Sequence, residues 1–401
     1  MTEYPVFIFA ALLILVYGLF SKALEKSVVS APMVFVTLGI IASFFSTEAF
    51  GEGAKAPALK VLAEITLVLI LFLDASTINR EALKKNRSLP IRLLLIGLPL
   101  TMVLGFAVAI LMFPDMNLWM LALMALILSP TDAALGLAVV TSKVVPEKIR
   151  QTINVESGLN DGIALPPILI CIAALATHKA GEGSGSSYWL MFTLKQFVFG
   201  PVIGGLVGWA GGQLVDRASR KGWMNTTFQR LSSLSIAILS FALAEMVHGN
   251  GFIAAYFAGL LLGSHTREIR ERIHDFGEAE SQALVLFIFL LLGMILVPMS
   301  YPYWDAQAWI YAILSLTVIR MLPVAISLIG TKLPLTTVGF IGWFGPRGIA
   351  SVLYLLLVII NLGAVGYEKI ISVIALTVML SIFLHGITAV PFSKMLGKSL
   401  K

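Results

Sequence analysis

A chain of 401 residues that is 58% hydrophobic and only 12% charged is not a soluble protein, because a soluble domain carries about twice that share of charge. The mean hydropathy of +0.93 predicts that lipid surrounds most of the chain. The net charge of +6 does not indicate a nucleic-acid partner, since the positions of charges in a membrane protein say more than their sum. Cys171 is the single cysteine, which excludes an intrachain disulfide.

Thirteen apolar runs of about 16 to 25 residues follow one another, and each suits the ~20 residues that a helix needs to cross ~30 Å of hydrocarbon. We therefore predict an all-α polytopic membrane protein with about thirteen transmembrane helices. No basic segment precedes the first run, so we expect span 1 to be retained rather than cleaved. The predicted spans lie near residues 5–21, 30–46, 59–75, 90–113, 117–140, 152–176, 187–215, 228–247, 250–264, 279–298, 305–329, 335–361 and 368–396.

The positions of Lys and Arg predict the orientation. An odd number of spans puts the termini on opposite sides, and positive residues favour cytoplasmic segments. With a cytoplasmic C-terminus, most of the 28 Lys and Arg residues lie in or beside cytoplasmic segments, and four lie outside: Lys55, Lys60, Lys179 and Lys369. We expect an outer N-terminus, a cytoplasmic C-terminus and a location in the inner (cell) membrane of a bacterium.

Spans 5 and 12 are predicted to be discontinuous helices. Span 5 contains Ser129-Pro130 and span 12 contains Gly345-Pro346-Arg347-Gly348, both in mid-membrane. An interior proline breaks the helical hydrogen bonding, and bare backbone at that depth is tolerated only under protein or beside a wet cavity. Spans 1–6 and 8–13 would then form an inverted repeat around a linker span 7, which is typical of a transporter with a central site.

Ionisable side chains inside the spans cost a few kcal/mol or more, so each requires a partner or a function. They are Asp74, Asp132, Glu156, Asp161, Lys195, Glu245, Arg320 and Arg347, with Glu64 less deep. Asp161 shares a helix face with Ser157 and lies beside Asn160. Burial penalises a charged carboxylate, so Asp161 would hold either a proton or a metal cation. That competition alone would couple cation movement to proton movement.

The remaining charges have structural interpretations. Glu156 points about 140° away from Asp161 around the helix, and a pair with Arg347 would suit the planar guanidinium. We expect Asp132 to cap the second half of span 5 and to lend its charge to the site, with Thr131 adding oxygen atoms. Such hard oxygen ligands suit an alkali cation.

Three charged residues inside the spans are harder to place from the sequence, and one histidine lies there too. Lys195 would snorkel to the membrane surface, Arg320 would pair with a carboxylate or a lipid headgroup, and Glu245 would be a structural partner. His385 lies inside a span, where packing is expected rather than a pH-sensing role.

Three motifs are similar to those of a known family. Thr131-Asp132, residues 156–161 (ESGLND) and residues 345–351 (GPRGIAS) resemble the NhaP-type branch of the monovalent cation:proton antiporter superfamily. That branch includes the sodium/proton exchangers of animals. Residues 244–263 are also similar, and the resemblance spans nearly the whole chain.

The resemblance implies a role for each residue of a sodium site. Asp161 matches the family's ion- and proton-binding aspartate. Asn160 matches the asparagine that marks the electroneutral branch, where the electrogenic branch has a second aspartate. Thr131, Asp132 and Ser157 match groups that line the Na+ site together with Asp161.

The resemblance also implies supporting roles and one departure. Glu156 and Arg347 match the family's stabilising ion pair, and Asp74 resembles the acid near the cytoplasmic funnel. The family often has Thr-Asp-Pro, whereas Ala133 follows Asp132 here and the proline is Pro130. The break in span 5 is therefore expected to differ in shape.

Relatives imply a division into scaffold and core, and a homodimer. The scaffold or dimerisation helices would be residues 1–80 and 227–300. The core ion-transport helices would be residues 88–176 and 304–401, with residues 187–216 as the linker helix 7. Membrane lipid and a second copy of the chain are the expected partners.

The sequence thus predicts a sodium/proton antiporter that serves pH homeostasis by electroneutral one-for-one exchange and alternating access. We expect no enzymatic activity and no cofactor besides the transported Na+ and H+. A potassium/proton antiporter would use the same residues, so that alternative remains open. A cation channel also remains, although a channel needs no titrating group as its ligand. A membrane hydrolase is weaker, because no HExxH or GxSxG motif is present.

Overall fold

The computed structural model describes residues 4–24, 28–44, 57–77, 88–132, 135–180, 186–262 and 282–399. Within these ranges every regular element is a helix and none is a strand. A helix satisfies its own backbone hydrogen bonds, as a chain surrounded by lipid requires. The predicted all-α class is confirmed.

Each predicted span contains a described helix, so the helices are numbered by span, with a and b for the halves of a broken helix. Among the described residues, seven helices are long and apolar enough to cross a membrane, and five shorter apolar helices accompany them. In chain order the helices are α1 (Tyr4–Leu24), α2 (Ala31–Ser43), α3 (Pro57–Thr77), α4 (Ser88–Met112), α5a (Leu118–Ile127), α5b (Leu137–Val140), α6 (Glu147–Ala180), α7 (Ser186–Arg220), α8 (Thr226–Met246), α9 (Gly251–Leu262), α10 (Gln282–Tyr303), α11a (Ala306–Leu316), α11b (Val318–Ser327), α12a (Leu335–Trp343), α12b (Ile349–Leu362) and α13 (Glu368–Ser399).

The two predicted breaks are present. Helix α5a ends at Ile127 and α12a ends at Trp343, and residues 128–132 and 344–348 follow without helical structure. Both segments are buried throughout, which is how protein makes bare backbone tolerable at membrane depth. Discontinuous helices 5 and 12 are therefore confirmed.

A third break, in span 11, was not predicted. Thr317 separates α11a from α11b with φ −112° and ψ −93°. Its hydroxyl donates to the carbonyl of Ile313 at 2.6 Å, and such a bond back to the preceding turn is known to bend helices. Threonine is common in helices, so this residue gave no signal in the sequence.

The chain divides into two compact units. The first comprises Met1–Lys60, Asn86–Asn160 and Val285–Lys401, and the second comprises Val61–Lys85 and Asp161–Leu284. In the first unit α2 crosses α10 at two glycines, since a Cβ on Gly39 or Gly293 would overlap a backbone carbonyl of the other helix. The division between units falls within α6, between Asn160 and Asp161.

The second unit is built on close contact between α7 and α9. A Cβ on Gly204 or Gly208 would overlap the backbone of Ala254 or Ala258, respectively. Small residues four positions apart let two helices approach to backbone contact, which favours association in lipid. His248, with φ +58°, makes the turn between α8 and α9, so the division of these two spans is confirmed.

Candidate cation-binding site

Two hydrogen bonds that start from Asp132 join the breaks in α5 and α12. Its backbone N–H donates to the carbonyl of Pro346 at 2.8 Å, and its Oδ2 accepts the N–H of Ile349 at 2.8 Å. Asp132 therefore caps α12b. The predicted cap on the second half of span 5 stays a prediction, because residues 133–134 lie outside the described residues.

Arg347 makes the reverse connection. Its side chain is fully buried, and Nη1 donates to the carbonyls of Ser129 at 2.5 Å and Pro130 at 3.0 Å, just beyond the end of α5a. A cation stabilises the C-terminal end of a helix as a carboxylate stabilises the N-terminal end. Each break thus supplies a charge that stabilises the open helix end of the other. Ser351 adds a bond from its hydroxyl to the carbonyl of Ile127 at 2.8 Å.

Glu156 pairs with Arg320, not with Arg347. Nη1 and Nη2 of Arg320 donate to its two carboxylate oxygens at 2.6 and 2.9 Å, and both side chains are 98% or more buried. The predicted Glu156–Arg347 pair is wrong because Arg347 is engaged with the end of α5a. Arg320 instead lies against Gly345, where any Cβ would overlap its guanidinium. Glu156 still attracts Arg347 electrostatically.

The polar face of α6 meets the span-5 break at Thr131. The Ser157 hydroxyl donates to the carbonyl of Thr131 at 2.5 Å, and Nδ2 of Asn160 donates to the Thr131 hydroxyl at 2.7 Å. All three are buried. Among the described residues, Oδ1 of Asn160 has no hydrogen-bond partner. The cluster therefore gathers the neutral oxygen atoms that an alkali cation prefers.

Asp161 follows Asn160 on α6 and is 4% exposed. In the second unit its charge and that of Asp74, on α3, both act on the phenol of Tyr256. The ring of Tyr256 packs over Gly162, where a Cβ would overlap it. The second unit therefore brings two predicted acids and a buried tyrosine together, and the sequence gave no reason to single out Tyr256.

The structure also locates two charged residues that were hard to place from the sequence, Glu245 and Lys195. Oε1 of Glu245 accepts the N–H of Gly251 at 2.8 Å, at the start of α9, so its expected structural role is confirmed. Lys195 is exposed on α7. Within the described residues, no group of three or more His, Cys, Asp or Glu residues is placed to hold a metal ion.

Comparison with known proteins decides the family. The family model described as "Sodium/hydrogen exchanger, transmembrane" matches residues 8–395. The chain belongs to the sodium/hydrogen exchanger family. The resemblance drawn from the motifs is confirmed, and this family member is an integral, multi-pass membrane protein.

Similar members of the exchanger family have both sodium and potassium in their names. The K+/H+ antiporter NhaP of Alkalimonas amylolytica is 28% identical over 73% of this chain and 50% of its own length. The Na+/H+ antiporter NhaG of Bacillus atrophaeus is 26% identical over 69% of this chain and 53% of its own length. The chain thus spans about half the length of these curated relatives.

A solved structure shares the fold of this exchanger-family chain. The sodium proton antiporter MjNhaP1 from Methanocaldococcus jannaschii, solved at pH 8, superposes with a TM-score of 0.82. The match covers 100% of this chain and 99% of that one at 19% identity.

Proposed function

We propose that this chain is a sodium/proton antiporter that exchanges one Na+ for one H+. Asp161 would bind either the cation or the proton, and Thr131, Asp132 and Ser157 would complete the Na+ site. Family membership and the relative named as a Na+/H+ antiporter support this proposal.

The observation that carries the proposal is the buried oxygen cluster on α6 and the span-5 break. Ser157 and Asn160 hold Thr131 by two hydrogen bonds, and Asp161 is the next residue of the same helix. Na+ is a hard cation that binds carboxylate, hydroxyl and carbonyl oxygens. A buried carboxylate can exchange a proton for a cation because burial disfavours the bare charge.

The pairing of the buried charges supports a one-for-one ratio. Glu156 is neutralised by Arg320. Asp132 and Arg347 are opposite charges that are each engaged at a helix end. These four charges sum to zero and have fixed structural partners. Since Asn160 cannot ionise, Asp161 would be the group that loads and unloads.

The mechanism we propose is alternating access in a homodimer of the cell membrane. Residues 88–176 and 304–401 would form the moving core, and residues 1–80 and 227–300 the dimer scaffold, with 187–216 as the linker. The N-terminus would lie outside and the C-terminus in the cytoplasm. Asp74 would attract cations at the cytoplasmic funnel.

Replacement of the exchanged carboxylate tests the function. In proteoliposomes with an imposed Na+ gradient, the wild-type chain should move protons and Asp161→Asn should not, because an amide neither titrates nor neutralises Na+. Asp216→Asn is the matched control, since Asp216 forms a surface pair with Arg220, whose side chain is 73% exposed. Full sodium-driven proton movement by Asp161→Asn would refute the site assignment.

Potassium is the second candidate cation, and the observation that favours it is the relative named as a K+/H+ antiporter. The two candidates use the same residues, so competition between ions must separate them. Proton flux should be measured with Na+, Li+ and K+ in turn, at matched ionic strength and several pH values. Flux that saturates with Na+ and is unaffected by excess K+ would exclude potassium as the substrate.

A further inference from the structure

His385 connects both sides of the span-12 break. The residue lies on α13 with a relative exposure of 1%. Its Nε2 is 2.9 Å from the carbonyl of Trp343, the last residue of α12a, and its ring stacks on the Trp343 indole at 4.9 Å between centroids. Its Nδ1 is 3.2 Å from the hydroxyl of Ser381, which accepts the backbone N–H of Arg347 at 2.7 Å.

Burial favours the neutral form of the ring, because desolvation penalises the charged form. The carbonyls of Trp343 and Ser381 lie 2.9 Å from Nε2 and Nδ1, respectively, and both can only accept. We place the proton of the neutral ring on Nε2, because Nδ1 can instead accept the Ser381 hydroxyl, whereas Nε2 faces the Trp343 carbonyl. The Ser381 hydroxyl then donates to Nδ1 while it accepts from Arg347. The relay from Arg347 through Ser381 and His385 to Trp343 is thus complete with a neutral ring.

A second proton would change this arrangement. Protonated Nδ1 would donate to the carbonyl of Ser381, 2.9 Å away, and the Ser381 hydroxyl would lose its acceptor on the ring. The charged side chains that act on the ring are Arg347 from the break and Arg320 from α11b, so the new charge would also be repelled. Helices α2, α5a, α5b, α10, α11a, α12a and α12b pack in the same unit and contain no Asp, Glu, Lys, Arg or other His.

We propose that neutral His385 is a positioning residue for the antiporter. Through Ser381 it holds the backbone N–H of Arg347, and it thereby fixes the guanidinium on the end of α5a. Protonation of the ring would loosen that hold. The residue does not touch the proposed cation site, so it should act on turnover rather than on cation affinity.

Hydrogen exchange at the span-12 break tests directly whether Ser381 and His385 hold the backbone N–H of Arg347. Ser381→Ala removes the acceptor of the Arg347 N–H, so deuterium uptake of a peptide covering residues 344–352 should accelerate about tenfold, as expected for the loss of one buried hydrogen bond. His385→Gln should give a smaller acceleration, and Ser381→Thr should restore protection because it keeps the hydroxyl. Thr377→Val is the matched control, since it removes a buried hydroxyl of α13 whose partner among the described residues is the carbonyl of Val373.

Transport provides the second readout, and this part rests on the proposed function. Ser381→Ala should lower the maximal rate of sodium-driven proton flux about tenfold and leave the KM for Na+ within about twofold. At saturating Na+, the wild-type rate should fall as the pH is lowered, whereas His385→Gln should lose that fall.

The two readouts separate the two proposals. Hydrogen exchange requires no transport, so a wild-type chain without sodium/proton exchange would refute the function alone. Wild-type deuterium uptake at residues 344–352 in His385→Gln would overturn the role of His385, whether or not Ser381→Ala accelerates uptake. A changed KM with an unchanged maximal rate would overturn it as well.

Discussion

At the residue scale, the two buried arginines perform different tasks. Arg320 neutralises a carboxylate, whereas Arg347 donates to carbonyls at a helix end. Removal of one partner of a buried ion pair leaves an uncompensated charge, which costs about 3–5 kcal/mol. Arg320→Met should therefore lower the free energy of unfolding by about that amount, and adding Glu156→Gln should restore much of it. Denaturant unfolding in detergent measures both.

The control for this prediction is a double-mutant cycle in which Arg347 replaces Arg320. Arg347→Met combined with Glu156→Gln should give a coupling energy smaller than that of the Glu156–Arg320 pair, because those two side chains share no hydrogen bond. A larger coupling to Arg347 than to Arg320 would show that the pairing described above is not the one that stabilises the protein.

The identity of the pair could not be predicted from the sequence. Both arginines lie in apolar runs far along the chain, and Arg320 is separated from Glu156 by 164 positions. The resemblance to the family favoured Arg347 as the partner of Glu156, because Arg347 lies in the motif of residues 345–351. The choice depends on the direction in which the break turns each side chain, which no local pattern records.

At the element scale, the breaks in α5 and α12 form one crossing. A Cβ on Gly348 would overlap the carboxylate of Asp132 that caps α12b. Gly348→Ala should therefore displace that cap, at a cost of about 0.5–2 kcal/mol in the free energy of unfolding, and should strongly reduce transport. Thermal unfolding and proteoliposome flux measure the two effects.

Gly339→Ala is the matched control, because a Cβ at that position of α12a meets nothing within 4 Å. It should keep full transport and gain a little stability, since alanine favours a helix over glycine by about 0.5–1 kcal/mol. Wild-type transport in Gly348→Ala would mean that the contact between Asp132 and α12b is dispensable.

Some helix breaks could be predicted from the sequence and others could not. Pro130 and Pro346 remove backbone donors, so the breaks in spans 5 and 12 were predictable. The break of α11 at Thr317 was not predictable, because Thr101, Thr152 and Thr377 make the same side-chain bond inside continuous helices. The helix that Asp132 caps was also beyond the sequence, because a cap can be supplied by any chain segment that passes the helix end.

At the scale of the whole molecule, hydropathy and motifs gave the class and the family. Apolar run length fixes where helices can cross lipid, and this signal is strong over 401 residues. The arrangement of helices within a unit depends on close approach at residues such as Gly39, Gly204 and Gly293. Glycines at those positions look like any others in an apolar run, so the packing partners were not predictable.

The charge balance of the whole molecule gives the last prediction. With Glu156 paired to Arg320 and with Asp132 and Arg347 of opposite sign, one cycle should carry one Na+ inward for one H+ outward, or the reverse, with no net charge. A membrane potential imposed without a Na+ or H+ gradient should therefore drive no proton flux, and the same vesicles without valinomycin report any flux that the K+ gradient itself drives. Potassium-loaded proteoliposomes with valinomycin provide the potential, and a pH-sensitive dye reports the flux in the presence of equal Na+ on both sides. Proton movement that follows the potential and is absent in Asp161→Asn would show that a second buried group titrates during the cycle, and the one-for-one ratio would have to be abandoned.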